Sequence, residues 1–132
     1  PPEGLGGYPV SGWDAGAGSD ARSKGGGVRS RSHTPATFEC DYTAVGLGSR
    51  DAATRSAREG CADQVEYKAR HRTMRVYSDL QRQDATDIKA EFSCGPFDIR
   101  VDWSKLPLVE LYSARAYGSA PCTIVADYTT KG

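Results

Sequence analysis

Four cysteines constrain this chain of 132 residues more than any other feature: Cys40, Cys61, Cys94 and Cys122. An even number of cysteines in a chain this short predicts two disulfides and an oxidising, secretory compartment. No two of them are spaced as zinc-binding cysteines usually are, so we expect no metal site. No cofactor is expected either. Three disulfide pairings are possible, and spacing alone does not choose among them.

Composition divides the chain in two. Residues 1–36 contain most of the 15 glycines, with serine, alanine and proline between them. A segment with so few branched apolar residues cannot bury enough surface to offset the entropy of ordering it. We therefore predict a flexible Gly/Ser-rich segment over 1–36 and one folded domain over 37–132. An arm for targeting or RNA contact around Arg29 and Arg31 is the alternative for the first segment.

Neither the net charge nor the hydropathy of the chain indicates a nucleic-acid or membrane partner. The chain has 17 basic and 17 acidic residues, so its net charge gives no sign of affinity for nucleic acid or membranes. No stretch approaches the roughly 18 apolar residues that a membrane-spanning helix needs. We expect a monomer that makes no membrane contact.

One helix is predicted directly after the first cysteine. Ser49 is suited to be its N-cap, and Asp51 in the first turn would favour the helix dipole. Ala53, Ala57 and Cys61 then recur at every fourth position and form a narrow stripe of small residues. Such a helix can lie close against a sheet. We expect it to end near residues 63–64.

The remainder is predicted to form strands, at residues 65–77, 88–93, 97–103, 109–113 and 122–128. The clearest alternation runs from Phe97 to Trp103, where apolar residues alternate with Asp98, Arg100 and Asp102. One face of that strand would pack on the helix and the other would remain polar. One α-helix packed on a curved antiparallel β-sheet is an α+β fold, here stabilised by disulfides.

This arrangement of elements favours one disulfide pairing over the other two. A bond between Cys40 and Cys122 would join the start of the fold to its last strand. It would close a long loop, which stabilises most in the entropic description of disulfides. Cys61 and Cys94 would then join the helix to the sheet. A bond between Cys40 and Cys61 would contradict this preference.

Several short segments occur in an order that a known family shares. They are Cys-Asp-Tyr-Thr at 40–43, Tyr-Ser-Asp at 77–79, Val-Asp-Trp at 101–103, Leu-Tyr-Ser at 111–113, and a turn-like Gly-Ser-Ala-Pro at 118–121. Over residues 38–128 they resemble the small secreted guanyl-preferring ribonucleases of fungi. The fold that this resemblance implies, a helix on a curved antiparallel sheet, agrees with the α+β prediction.

Two further features resemble the ribonuclease-like effectors of cereal powdery mildews and other plant-pathogenic fungi. They are the aromatic-x-Cys opener Phe38-Glu39-Cys40 and the Ala-x-x-x-Cys helix segment from Ala57 to Cys61. The resemblance implies a disulfide and a degraded active site. It also implies secretion with possible translocation into host plant cells, and a host protein, such as an immune receptor, as partner.

The catalytic residues of the ribonuclease family are poorly matched. Cleavage of RNA needs a base, an acid and a cation that stabilises the phosphorane. Tyr77 matches the family pattern, but Asp79 takes the place of the first histidine, where a carboxylate would repel phosphate. Asp102, or Lys105 in another alignment, takes the place of the glutamate. The arginine's place falls near residues 121–123, and the second histidine has no counterpart.

Two alternative sites remain open. His71 could act as a displaced base near neutral pH, because its predicted strand is basic, although a partly buried structural histidine explains it better. Asp98, Arg100 and Asp102 could form a new site on the polar strand face, although a solvated face with internal charge pairs explains them as well. An active divergent ribonuclease or ribotoxin would use Asp102 with His71 or Arg100.

A basic stripe offers a third class of function. Lys68, Arg70, Arg72 and Arg75 would contact RNA phosphates, and Tyr67 and Tyr77 would stack on bases. An exposed strand kept soluble by charge explains the same residues without RNA. The leading hypothesis is therefore a secreted, catalytically inactive ribonuclease-like effector that binds host proteins. A divergent enzyme or an RNA-binding module is the alternative.

Overall fold

A computed structural model describes residues 27–47, 49–107 and 111–131 of the chain. Its elements are β1 (Val28–Leu47), α1 (Arg50–Arg82), β2 (Thr86–Cys94), β3 (Asp98–Lys105) and β4 (Leu111–Thr130). One helix packs on an antiparallel sheet, as the α+β prediction required. The two disulfides are also present.

The central strand of the sheet is β4. It pairs with β1 along its whole length, from Val28 opposite Thr130 to Leu47 opposite Leu111. Its other side is shared by two consecutive strands, with β2 along the second half of β4 and β3 along the first half. The sheet is therefore three strands wide, and its two outer edges are β1 on one side and β2 with β3 on the other.

The helix α1 is twice as long as its small-residue stripe predicted. It begins as expected, with Ser49 as N-cap accepting a hydrogen bond of 3.1 Å from the Ala52 N–H. It continues for 33 residues, about 50 Å, and ends where Asp84 adopts a φ of 63°. Aspartate tolerates this left-handed conformation better than most residues.

The predicted end at 63–64 and the predicted strand over 65–77 are both wrong. The basic residues alternate there, but the buried residues recur at helical spacing: Val65, Ala69, Thr73 and then Leu80. No glycine or proline interrupts the chain between Cys61 and the end of β2. Burial of small side chains every fourth position therefore decides the structure, and the charge alternation does not.

The predicted turn at 118–121 is also wrong, because these residues lie inside β4. Gly118 is required for close packing, since a Cβ there would overlap the carbonyl oxygen of Asp98. Pro121 faces the break between β2 and β3, where its carbonyl accepts a 2.8 Å hydrogen bond from the Gly95 N–H. The N–H that proline lacks would point toward the same break, so a proline is tolerated in this central strand.

The core lies between α1 and one face of the sheet. Small residues of β4 form its floor, and Phe92, Ile124 and Val65 are its largest fully buried side chains. Apart from Thr129 near the end of the strand, the buried positions of β4 are even-numbered: Ala114, Ala116, Ala120, Cys122, Ile124 and Ala126. The odd-numbered side chains therefore lie on the opposite face, which no helix of the described chain covers.

The fold begins earlier than composition predicted. Residues 28–36, assigned to the flexible segment, form the first half of β1. The boundary at 36–37 is wrong because pairing with β4, rather than apolar content, orders these residues. The part of that prediction that concerns residues 1–26 lies outside the described residues.

The preferred disulfide pairing is wrong as well. Cys40 is bonded to Cys61, and Cys94 is bonded to Cys122. The helix folds back along β1 immediately after it, which brings Cys61 over Cys40. Cys94 and Cys122 are directly opposite each other in the register of β2 and β4. Local antiparallel packing, rather than maximal loop length, selects both bonds.

Candidate functional site

The helix-free face of the sheet carries most of the charged strand residues. It is formed by odd-numbered residues of β1, β2 and β4, and by the even-numbered Asp98, Arg100 and Asp102 of β3. Cross-strand pairs place Asp102 opposite Arg115, and Arg100 opposite Tyr117. Acidic and basic side chains are thus interspersed over the whole face.

Two arginine–aspartate pairs dominate this face. Arg115 donates to both oxygens of Asp41, at 2.9 and 2.6 Å, and Arg31 donates to both oxygens of Asp127, at 2.7 and 3.1 Å. The hydrogen bond from each arginine holds the pKa of its aspartate below the ordinary value. The same bonds raise the pKa of both arginines. Each cation is therefore engaged before any ligand arrives.

A shallow cleft of about 580 Å³ lies beside the first of these pairs. It is open to solvent and continues from the helix-free face over the edge of β1 to the helix. Arg115 also lies 5.0 Å from the centre of the Tyr117 ring. The residues that line the cleft are Glu39, Cys40, Asp41, Gln64, Lys68, Arg115, Tyr117, Gly118 and Ser119.

Two helix side chains close the edge of β1 at this cleft. The Gln64 side-chain oxygen accepts from the Asp41 N–H at 2.8 Å, and its amide nitrogen donates to the Asp41 carbonyl at 3.1 Å. One turn later, Lys68 donates to the Glu39 carbonyl at 2.6 Å. Gln64 thus makes the two bonds that a neighbouring strand would make. Residues 38–47 are called the capped half of β1 below, and residues 28–37 the open half.

The site residues predicted for catalysis are not brought together. Asp102 and Arg100 lie on the helix-free face, whereas His71 lies on α1, which covers the opposite face. A site that combines Asp102 with His71 is therefore contradicted, because the sheet separates the two side chains. His71 is exposed, and its ring contacts that of Tyr67 in a tilted arrangement with the ring centres 4.2 Å apart. It is therefore not the partly buried residue that alternation predicted.

The two remaining vestigial candidates lie on α1 and not on a core strand. Tyr77 is half-buried and packs against the apolar cluster around Leu80 and Ile88. Asp79 forms an ion pair with Arg82, one turn further along the helix. The matches at 77–79 and at the turn of 118–121 are therefore not supported by the secondary structure.

The predicted RNA-contact residues all lie on the second half of α1. Tyr67 is 60% exposed, Lys68, Arg70 and Arg75 are exposed, and Arg72 is half-buried. No carboxylate occurs between Tyr67 and Ser78. Residues 67–78 are called the basic helix segment below. It is a cationic surface of a helix and not of a strand.

Glu66 marks the boundary of the basic helix segment. Burial and the neighbouring charge of Asp63 raise the pKa of its carboxyl, and Arg70 opposes them. One of its oxygens is buried without a hydrogen-bond partner. This carboxyl lies on the helix, away from the charged residues of the helix-free face.

Sequence reasoning missed the residues that organise this site. Gln64, Arg115 and Asp127 belong to no motif of the sequence, and Asp41 belongs only to the Cys-Asp-Tyr-Thr segment, which gives it no role. The hydrogen-bond partners of these residues are between 23 and 96 residues away along the chain. Only the register of β1 against β4 and the return of α1 along β1 bring them together. Among the described residues, no cluster of metal-binding side chains occurs. Nor does their one helix have the length of apolar sequence needed to cross a membrane.

Comparison with protein-family models, with curated proteins and with solved structures finds no match to this chain.

Proposed function

We propose that this chain is a secreted, non-catalytic protein that acts by binding other proteins, in the manner of a fungal ribonuclease-like effector. Its two disulfides support an extracellular route. A host protein, such as a plant immune receptor, is the partner that this proposal names, reached after secretion or translocation into the host cell.

The observation that carries the proposal is the charge pairing on the helix-free face. Phosphoryl-transfer chemistry needs an uncommitted cation next to an acid and a base. Here Arg115 and Arg31 are each bound bidentately by an aspartate. Arg100 lies between Asp98 and Asp102 on the same strand face. A face of alternating charges, with two of its arginines already paired, is suited to selecting a protein partner by electrostatic complementarity.

The effector part of the proposal is supported by one feature of the fold. The aromatic-x-Cys opener ends at Cys40, and the Ala-x-x-x-Cys helix segment ends at Cys61. These two cysteines are bonded to each other. The two sequence features that resemble the effectors are therefore parts of one structural unit, the junction of β1 with α1.

Cleavage of a guanosine-containing fluorogenic RNA by the oxidised protein tests the proposal. The wild-type chain is expected to show no turnover above that of Asp102→Ala. His71→Ala is the matched control, because it changes a titratable residue on the other side of the sheet. Turnover that is lost in Asp102→Ala and kept in His71→Ala would establish an enzyme and overturn the proposal.

RNA binding without cleavage is a second candidate, favoured by the basic helix segment. Its four cations are not interrupted by a carboxylate, and Tyr67 is exposed beside them. Affinity for single-stranded RNA should then fall steeply with salt and with Arg70→Ala or Arg75→Ala. RNA affinity that is unchanged by either substitution would exclude this surface.

A further inference from the structure

The open half of β1 presents an unused row of backbone hydrogen-bond groups. The contacts of Gln64 and Lys68 show that the backbone groups of Asp41 and Glu39 point away from β4. In an antiparallel strand this direction alternates from residue to residue, and the register of β1 is unbroken. The N–H and C=O groups of Arg29, Arg31, His33 and Thr37 therefore point outward too.

Pro35 also lies among these outward-pointing residues of β1, and its position is consistent with their direction. It is the one residue of the row without a backbone N–H. Proline is tolerated in a sheet where its missing donor faces the free side of an edge strand. In the part of the chain that the structure describes, β1 pairs with β4 alone. The capped half is closed by helix side chains, and no described side chain of α1 closes the open half in the same way.

Basic side chains of α1 next to the open half make this edge of β1 favour an acidic partner. Lys68 reaches the Glu39 carbonyl, and the guanidinium of Arg72 lies 5.6 Å from the centre of the Phe38 ring. Arg75 follows Arg72 by one helical turn and lies on the same side of α1. These cations border the point where the cap ends and the open half begins. No carboxylate of the basic helix segment offsets them.

We propose that the open half of β1 is a strand-addition site for an extended peptide segment rich in aspartate and glutamate. The segment would pair with the outward backbone groups of residues 29–37, and its acidic side chains on the helix side would meet Arg72 and Arg75. Backbone pairing supplies affinity in this type of recognition, and alternate side chains supply specificity. This inference rests on the proposed function, since it names the partner of a protein-binding module.

A second copy of the chain fits the same edge less well. Two β1 edges paired antiparallel with the two Arg31 residues opposite each other would place Arg29 of each copy opposite His33 of the other. The two basic helix segments would also approach each other. Like charges across paired strands destabilise the pairing. An acidic peptide removes that repulsion and replaces it with attraction.

Amide hydrogen exchange with a defined peptide tests the proposal. The probe is a ten-residue peptide of alternating glutamate and threonine with blocked ends, and the matched control peptide alternates lysine and threonine. The glutamate peptide should slow exchange at Arg29, Arg31, His33 and Thr37. At a peptide concentration of ten times Kd the slowing is about tenfold. The even-numbered amides, already bonded to β4, should not change, and added salt should weaken the effect.

Substitutions test the backbone edge of β1 and the cations of α1 separately. His33→Pro removes one outward N–H on which no bond of the described backbone depends, and should weaken binding about tenfold, whereas His33→Val should retain it. Arg72→Glu with Arg75→Glu should weaken binding at least tenfold. Arg55→Glu, an exposed change on the first half of α1, is the control for overall charge and should have little effect. The charge variants keep the test valid even if His33→Pro fails to fold.

Three results would overturn the proposal. Slow exchange of the odd-numbered amides in the free chain at every concentration would mean that the edge is already occupied by the chain itself. Slowing that rises with protein concentration alone would identify a second copy as the occupant. The glutamate peptide could instead change amide exchange in α1 and leave the β1 amides unprotected. If single-stranded RNA had the same effect, α1 would be a general anion-binding surface. The RNA cleavage assay is independent of these results, so failure of the strand-addition site alone leaves the proposed function standing.

Discussion

The two halves of β1 have the same register against β4 but different free edges. In the capped half, Gln64 and Lys68 of α1 satisfy the outward backbone groups, and a disulfide fixes the strand to the helix. In the open half, α1 has crossed toward β2, and Ser30, Ser32 and Thr34 are only half-buried. The path of one helix across a sheet therefore decides which part of an edge strand stays available for pairing.

An uncovered edge is ordinarily a hazard, because it can pair with any other exposed strand. The open half has two of the features that protect natural edges: charged side chains at Arg29 and Arg31, and a proline at Pro35. The arginines disfavour pairing with a basic strand and favour an acidic one. The missing N–H of Pro35 removes one hydrogen bond from any added strand, so it limits pairing without selecting the charge of the partner.

Removal of the Cys40–Cys61 disulfide should have the largest effect on the difference between the two halves of β1. Cys40→Ala with Cys61→Ala should lower the free energy of unfolding by about 3 kcal/mol, because the loop of the unfolded chain is released. Amide exchange should then accelerate first in the capped half. Denaturant unfolding and hydrogen exchange measure the two effects. Equal acceleration in both halves would show that the disulfide does not hold α1 against β1.

Gln64→Ala should convert part of the capped half into an open edge. Two hydrogen bonds to the Asp41 backbone are lost, and the free energy of unfolding should fall by about 1 kcal/mol. The Asp41 amide should exchange as fast as that of Arg31. Gln81→Ala, an exposed glutamine elsewhere on α1, is the control and should leave both quantities unchanged. A protected Asp41 amide in Gln64→Ala would mean that another group closes the edge.

Acid titration of the aspartates beside the two halves of β1 should have the smallest effect on stability. The pKa of Asp127, beside the open half, is lowered by Arg31 from an ordinary value of 3.8. Its ionised form therefore stabilises the fold above about pH 4, and this contribution is lost as the pH falls through the lowered pKa. Asp127→Asn should reduce stability at neutral pH by less than about 1 kcal/mol.

The difference between wild type and Asp127→Asn should disappear in acid. Asp41→Asn, the equivalent change beside the capped half, should show the same direction of pH dependence, since Arg115 lowers the pKa of Asp41. Unfolding curves recorded between neutral pH and about pH 3 measure both. A stability difference that persists below the aspartate pKa would mean that the asparagine disturbs packing and not charge.

Local patterns predicted well wherever one residue contacts its near neighbours. The N-cap at Ser49 and the stripe of Ala53, Ala57 and Cys61 located the start of α1 and its buried side. The alternation from Phe97 to Trp103 located β3 within one residue at its start. These predictions are confirmed. Capping and two-residue periodicity depend on short stretches of chain, so the sequence alone is sufficient to predict them.

The patterns that failed were those in which two local signals competed. Residues 65–77 alternate in charge like a strand and bury small residues like a helix, and only the packing of α1 on the sheet makes the second signal decisive. The Gly118–Pro121 stretch has turn-forming residues, yet pairing on both sides makes it a strand. The composition of 28–36 predicted flexibility, yet a partner strand orders it.

By itself, the sequence determined the α+β class, the presence of two disulfides, the helix start and the alternating faces of β2 and β3. These follow from residue type and short spacing. The tertiary structure alone decided the cysteine partners, the length of α1, the Arg–Asp pairs and the two edges of β1. Each of these depends on residues far apart in the chain, whose contact exists only once β4 has paired with β1 and α1 has folded back across them.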